Sequence, residues 1–186
     1  MKKTISFDLD DTLIDAVEAF VPWSNKKYGT KYKFNEIDDG DVQGSTLKQW
    51  IDFFDSVAGM KIKPKKEVKD AINRLSKEYR LIVVSARDPG MHTAAKRWIV
   101  KNFPGNFKKI LFIKGRNWKK SKADICINEG AIMHFDDNPR HISDCLSKEV
   151  NATIVNRPWN LKFKTSAPRI NNINYRDIIK IINKLS

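Results

Sequence analysis

The chain has 186 residues, with 35 Lys and Arg against 22 Asp and Glu, a net charge of +13, and 41% hydrophobic residues. That length suits one domain with an elaboration or two small ones, and the apolar share excludes a disordered chain. No run approaches the ~20 apolar residues of a membrane span. Met1-Lys2-Lys3 leads straight into an apolar run, with no h-region and no cleavage site, so no signal peptide is expected. Cys126 and Cys145 fall in different predicted helices without metal-ligand spacing, and read as reduced thiols of a cytoplasmic protein. The positive charge suits phosphate-bearing partners. Basic residues are nevertheless spread along the chain, and the knots at Lys26-Lys27, Lys61 to Lys66 and Lys119 to Lys122 are not interleaved with aromatics.

In chain order, Ile5 to Phe7 is an apolar run that predicts a short buried strand, followed by Asp8, Asp10 and Asp11 within four residues, then Thr12. Ile14, Val17, Phe20 and Val21 have helical spacing over 14–27, with Pro22 expected to bend or break the helix. Residues 28–32 read as a turn and 35–44 as an acidic loop. Helices are predicted over 45–57 and 64–79. About sixty mostly helical residues thus separate the first strand from the second, whereas a whole βαβ unit needs about thirty. The excess predicts a helical cap over 14–79, inserted in a core of 1–13 and 80–186.

From Leu81 onward strands and helices alternate. Strands are predicted at 81–84, 110–113, 131–135 and 153–155, and helices at 93–102, 121–128, 141–146 and 175–185. The expected fold is α/β, a Rossmann-like parallel sheet of five strands with helices on both faces and a small helical cap.

Chemistry-bearing residues follow each predicted strand. Asp8, Asp10 and Asp11 follow the first, Ser85 and Arg87 the second, Lys119, Lys120 and Lys122 the third, and Asp136 and Asp137 the fourth. In an open parallel sheet these ends point the same way and can converge. An acidic helix cap would account for one of the first three carboxylates, not for all. Two carboxylates ~4 Å apart repel by about 4 kcal/mol at an effective dielectric near 20. A hard cation such as Mg²⁺, bound by oxygen ligands and phosphate, removes that cost. An Asp beside a bound phosphate can attack phosphorus, and a second Asp two residues on can protonate the leaving oxygen and then activate water.

Asp8-Leu9-Asp10-Asp11-Thr12 resembles motif I (DxDxT) of the haloacid dehalogenase superfamily of phosphohydrolases. Val84-Ser85-Ala86-Arg87 resembles motif II, Lys122 the motif III lysine, and Asp136-Asp137 the motif IV acidic pair. Within the superfamily the chain is most similar to the 5'(3')-deoxyribonucleotidase group. That similarity rests on Leu13-Ile14-Asp15, Ser85-Ala86-Arg87, Phe135-Asp136-Asp137-Asn138-Pro139 and Arg157-Pro158-Trp159-Asn160. Ala16 departs from the aromatic common after Leu-x-Asp in that group, so base preference is not carried over.

The resemblance implies a type 1 cap and Mg²⁺-dependent hydrolysis of nucleoside monophosphates, the deoxy forms foremost, through an aspartyl-phosphate. Asp8 would be nucleophile and metal ligand, and Asp10 acid/base and metal ligand through its carbonyl. Thr12, Ser85, Ala86, Arg87 and Lys122 would bind phosphate. Asp136 and Asp137 would complete the metal site, Asp137 more directly. Arg157 and Trp159, past the last predicted strand, are candidates for substrate contact. The group's habit of dimerising makes a homodimer an expected option, although no surface marks an interface.

The cap aromatics Phe20, Trp23, Tyr28, Tyr32, Phe34, Trp50, Phe53 and Phe54 are expected mainly to pack on one another, with some left to stack on a base. His92, His134 and His141 form no ligand pattern. His134 reads as a packed strand residue, and His141 as part of a helix start. Three alternatives remain: a phosphatase of nucleic-acid 3'-ends, which the charge would suit, a phosphatase of another small phosphomonoester, and a non-catalytic binding protein. The complete acid and lysine set argues against the last.

Overall fold

The structure is a computed structural model and describes residues 2–34, 37–38, 41–113 and 120–185, without the side chains of 37, 38 and 41. The acidic loop of 35–44 therefore lies partly outside the described residues, and Lys119 wholly so. The first strand is β1 (Thr4–Phe7). Next come α1 (Ala16–Tyr28), the short strands β2 (Ile37–Asp38) and β3 (Asp41–Val42), then α2 (Leu47–Asp55), α3 (Val57–Lys61) and α4 (Lys66–Glu78). Regular alternation follows through β4 (Arg80–Ser85), α5 (His92–Asn102), β5 (Phe107–Phe112), α6 (Lys122–Asn128), β6 (Ala131–Asp136), α7 (Pro139–Ser147) and β7 (Ala152–Val155). The described chain ends with β8 (Arg169–Ile170), α8 (Tyr175–Ile182) and one 3-10 turn.

The main sheet is parallel throughout, in the order β5-β4-β1-β6-β7-β8. From β1 the chain winds outward through β4 and β5, then returns to the other side of β1 for β6. The order therefore reverses between β1 and β6, the place where open α/β sheets bind ligands at their carboxyl ends. Strand alternation separates two apolar layers. Ile5, Phe7, Met133, Phe135 and Val155 face the large cluster that includes α1, α2, α4, α5 and α8. Ala152 and Ile154 face a smaller one with Ala123 and Cys126 of α6 and Ile142 and Cys145 of α7.

The sheet has six strands where five are expected. The extra strand, β8, is two residues long and too short to show a period. It is held by main-chain bonds from Ile154 N to Pro168 O (2.9 Å) and from Asn156 N to Ile170 O (2.8 Å). Pro22 does not break α1, which runs unbroken to Tyr28. A helix-interior proline costs about 3 kcal/mol. Here Pro22 and Glu18, whose carbonyl it leaves unpaired, are both exposed, so water can take that carbonyl. The opposite face packs through Phe20, stacked on Trp50 with centroids 3.7 Å apart.

The predicted helix over 45–57 is α2, and a short helix, α3, that the sequence reading did not include follows it. Ser56 ends α2 with its N–H on Phe53 O (3.0 Å) and starts α3 by accepting from Gly59 N (3.2 Å). The aromatics of α1 and α2 form a joint core, with Phe53 edge-on to Phe20 at 5.5 Å and tilted on Trp23 at 5.2 Å. α4 lies against β4 and α8.

Gly59 sets the approach of α3 to α2. A Cβ at this position would press on the Phe53 carbonyl oxygen and stand 2.9 Å from Phe54 Cα, both backbone atoms that cannot rotate away. Gly59→Ala is expected to destabilise the fold by ~1–3 kcal/mol, the range for overpacking a tight site. Urea unfolding would show it as a lower midpoint with an unchanged slope. A wild-type midpoint would mean that the two helices separate at no cost.

Candidate active site

β1 delivers Asp8 and β6 delivers Asp136 side by side at the reversal point. The Asp8 N–H continues the β1–β6 ladder by donating to Phe135 O (2.8 Å). α6 opens at the same level, with Ser121 capping it reciprocally with Asp124, so that its first residue, Lys122, points inward. Lys122 is 2% exposed. Its Nζ donates to Asp8 Oδ1 at 2.5 Å and to Asp136 Oδ2 at 2.7 Å. Of the lysine candidates within the described residues, Lys122 is the one in the site, and Lys120 is exposed.

Asp137 joins the cluster. Oxygens of Asp8, Asp136 and Asp137 lie within 4.8 Å of one another, and all three residues are buried. Asp137 Oδ2 accepts from Trp159 Nε1 (2.9 Å), and its carbonyl accepts from Asn160 Nδ2 (2.7 Å). Asp136 is saturated differently. Oδ2 takes Lys122 and His134 Nε2 (3.0 Å), and Oδ1 takes the Asn138 N–H (2.9 Å).

Three buried carboxylates against one lysine leave excess negative charge. Burial raises Asp8 to about 7 despite Lys122, with Asp136 and Asp10 adding repulsion. Asp137 is pushed well above the carboxylate range by burial, then by Asp11, Asp136 and Asp8. Asp136 goes the other way. Burial opposes its charge, but Lys122 and the neighbouring His141 and His134 hold it below the usual range. Burial also works against the charge of Lys122, and Asp136 with Asp8 outweighs it, holding the lysine above its ordinary value. An all-oxygen, acid-rich, buried set of this kind fits a hard divalent cation such as Mg²⁺.

Asp10 stands apart from this cluster. Its two oxygens accept from Arg87 Nε (2.7 Å) and Nη2 (2.6 Å). Arg87 thus lies on Asp10. Its backbone N–H donates to Ser85 Oγ (3.2 Å). Ser85 is buried at the end of β4, and Ala86 is half-buried beside it. Thr12 Oγ1 is buried and has no hydrogen-bond partner among the described residues, an unspent group of the kind a bound oxyanion satisfies. Asp11 is the acid that the helix-cap reading explains. It turns the chain at φ 55° and accepts the Val17 N–H (3.3 Å) in the first turn of α1.

Arg157 is a brace, with Nε on Asp11 O (2.6 Å) and Nη2 on Asp15 Oδ1 (3.1 Å). Trp159 meets Phe34 edge-on at 6.0 Å. A cleft of about 100 Å³, lined by Asp11, Asp15, Phe34, Lys65, Arg157 and Trp159 among others, opens beside the carboxylates.

The site roles of two residues went unread in the sequence. His134 is the packed strand residue the sequence leads one to expect, fully buried, and it bonds Ser6 Oγ through Nδ1 (2.9 Å) as well as Asp136. Ser6 and His134 are in register across β1 and β6, and His134 shares its strand face with Asp136. Period-two polarity was the signal, but it needed the β1–β6 pairing to be read. Asn160 is also fully buried, bonding Val155 O (2.8 Å) and Asp137 O.

No family model matches the sequence, and no curated protein matches it. Solved structures do. A haloacid dehalogenase-like hydrolase from Streptococcus pneumoniae aligns with a TM-score of 0.68 at 12% identity, over 100% of this chain and 99% of that one. A phosphatase assigned by prediction in Clostridium acetobutylicum gives 0.66 at 13% identity, over 100% and 98%. The HAD-type hydrolase YfnB from Bacillus subtilis, solved with magnesium bound, gives 0.63 at 13% identity, over 98% and 99%. The chain has the fold of the haloacid dehalogenase-like hydrolases. Among the described residues no helix is long and apolar enough to cross a membrane.

The raised Asp8 has a thermodynamic consequence. Between its unfolded value near 4 and about 7, the folded protein keeps a proton that the unfolded chain has released, so this group lowers stability as pH rises through that window. His141, held at about 3 by burial and Lys122, acts in the opposite sense from about pH 3 to 6.5, so the bare pH profile mixes both. A cation isolates the carboxylates. Mg²⁺ is expected to raise the thermal midpoint more at pH 7.5 than at pH 5.5, and Asp8→Asn to reduce that difference, with Asp137 supplying the rest. An equal gain at both values would separate Asp8 from the cation.

Proposed function

We propose that the protein is a Mg²⁺-dependent phosphatase of nucleoside monophosphates, foremost the deoxy forms, acting in the cytoplasm through an aspartyl-phosphate on Asp8. The observation that carries the chemistry is the buried Asp8–Lys122–Asp136 bridge at the sheet's reversal point, beside Asp137. The phosphatase and magnesium-bound structures among the neighbours support the same reading, as does the motif resemblance.

In this reading Asp8, Asp136 and Asp137, with the Asp10 carbonyl, would hold Mg²⁺, which when bound offsets the charge of the carboxylates and of the phosphate. Lys122, Ser85, Thr12 and the backbone N–H of Ala86 would hold the phosphoryl oxygens, the Arg87 N–H being taken by Ser85 Oγ. Asp8 attacks phosphorus and the P–O bond to the nucleoside breaks. Asp10 gives its proton to the departing oxygen. Asp10 then takes a proton from water, whose oxygen attacks phosphorus and frees Asp8. The cap would close the substrate side through the part of residues 14–79 that precedes α4, since α4 packs on β4 and α8.

In this reading the base would lie at the mouth of the cleft against the half-buried Trp159, whose indole N–H is on Asp137. The net charge of +13 favours a second reading, a phosphatase of 3'-phosphorylated nucleic-acid ends. Another small phosphomonoester is the third.

The deciding experiment is phosphate release with Mg²⁺ from deoxy- and ribonucleoside 5'- and 3'-monophosphates, a 3'-phosphorylated oligonucleotide and a small alkyl phosphate. Release from mononucleotides is expected, and Asp8→Asn should reduce it by roughly three orders of magnitude or more without unfolding the protein. Release from the oligonucleotide alone would replace this reading by the second, and release from the alkyl phosphate alone by the third.

The base site has its own test. Trp159→Ala is expected to lower kcat/KM for mononucleotides by roughly 5–150-fold, the equivalent of ~1–3 kcal/mol of stacking, and Trp159→Phe by much less. Equal losses in the two variants would assign the effect to the indole N–H on Asp137.

A further inference from the structure

Arg87 makes two contacts that no phosphate ligand requires. Its guanidinium takes both oxygens of Asp10, and its Cζ stands 3.5 Å from the ring centroid of Phe54 in α2. The arginine side chain is 3% exposed and Phe54 is 4% exposed, whereas Asp10 is 28% exposed. The guanidinium is therefore a plate between an inserted helix and a carboxylate at the reaction site. Its backbone is fixed on both sides, by Ser85 Oγ on its N–H and by His92 Nε2, which donates to its carbonyl at 2.9 Å. The His92 ring is itself stacked on Phe112 at 3.8 Å.

α2 is also seated on the turn that follows. A Cβ at Gly90 would stand 2.8 Å from Ile51 Cδ1, so helix and turn are in close contact there. The segment after β4 and α2 thus meet at two places, Arg87 on Phe54 and Gly90 beside Ile51.

We propose that Arg87 is a positioning residue that couples α2 to Asp10, so that the placement of the inserted helices sets the aim of the acid/base carboxyl. A planar fork suits this task. It fixes both carboxylate oxygens in one plane and presents its own face to an aromatic ring, which an ammonium group cannot do. Coupling of this kind is reciprocal. What disturbs Asp10 must disturb α2, and what disturbs Phe54 must disturb Asp10. The inference rests on the proposed roles of Asp8 and Asp10.

A double-mutant cycle tests it. Arg87→Lys keeps the charge and loses the fork. It is expected to lower kcat at least tenfold, with KM and the inhibition constant of inorganic phosphate within twofold of wild type. In an Asp10→Asn background the same substitution is expected to change kcat less than twofold, because its route of action is gone. Phe54→Leu should give a smaller loss of kcat that likewise disappears in Asp10→Asn. A rise in KM and in the phosphate inhibition constant would make Arg87 a phosphate ligand and overturn the proposal. Losses that multiply independently of Asp10 would reduce its role to stability and overturn it as well.

Hydrogen exchange supplies a readout that needs no turnover. Asp10→Asn is expected to raise amide exchange in α2, residues 47–55, at least threefold. Unchanged exchange there would refute the coupling even in an active enzyme. A wild-type chain that releases no phosphate from any substrate would instead refute the phosphatase reading, and increased α2 exchange would still uphold the physical link.

Discussion

The structure depends on one buried ammonium group. Lys122 lies between Asp8 and Asp136 where β1 and β6 part, and its charge lets two carboxylates sit at the floor of a sheet with little access to water. Taking charges from water costs several kcal/mol each, and only close, well-aligned partners offset it. The surroundings follow from that constraint. His134 and the Asn138 N–H complete Asp136, Trp159 and Asn160 hold Asp137, and the Ser121 cap fixes the helix end from which Lys122 reaches inward. Removing the lysine would leave Asp8 without its cation and Asp136 with His134 alone.

The remaining acids of the first motif are divided among different tasks by geometry. Asp8 stays in line with β1 and points into the cluster. Asp11, one turn on, takes a left-handed conformation and caps α1. Asp10 faces α2 through Arg87. Asp15 pairs with Lys65, at 3.1 Å, and with Arg157, so the loop after β1 is tied both to the end of the inserted segment and to the loop after β7. A stretch of eight residues is thereby anchored to the segments on two sides of the cleft, at Lys65 and at Arg157.

The fold class and most of the site could be read in the chain because carboxylates at strand ends leave a compact trace. An apolar run broken by Asp-x-Asp, and another broken by Asp-Asp, are locally costly unless used. Other features left no such trace. β8 is two residues held by main-chain bonds, which any sequence can make. α3, which lies past the predicted helix of 45–57, depends on the Ser56 cap and on the absence of a Cβ at Gly59. Pro22 gave a misleading signal because propensity measures a lone helix, and here the freed carbonyl faces water while the far side packs on aromatics.

What the sequence by itself determined is the order and type of the elements and the chemistry at their ends, since periodicity and local charge are properties of neighbours along the chain. It marked Asp8, Asp10, Ser85, Lys122, Asp136 and Asp137 as the groups to watch. The tertiary structure decided which partner each would have. That Arg87 lies on Asp10 rather than open to a phosphate, that Arg157 braces Asp11, and that His134 supports Asp136 are contacts across 77, 146 and 2 positions of chain. Even the last depends on strand register, because Ser6 must arrive from β1 to take the other ring nitrogen. Such pairings are settled by packing, when groups distant in sequence compete for the same buried space and each buried charge must find its opposite.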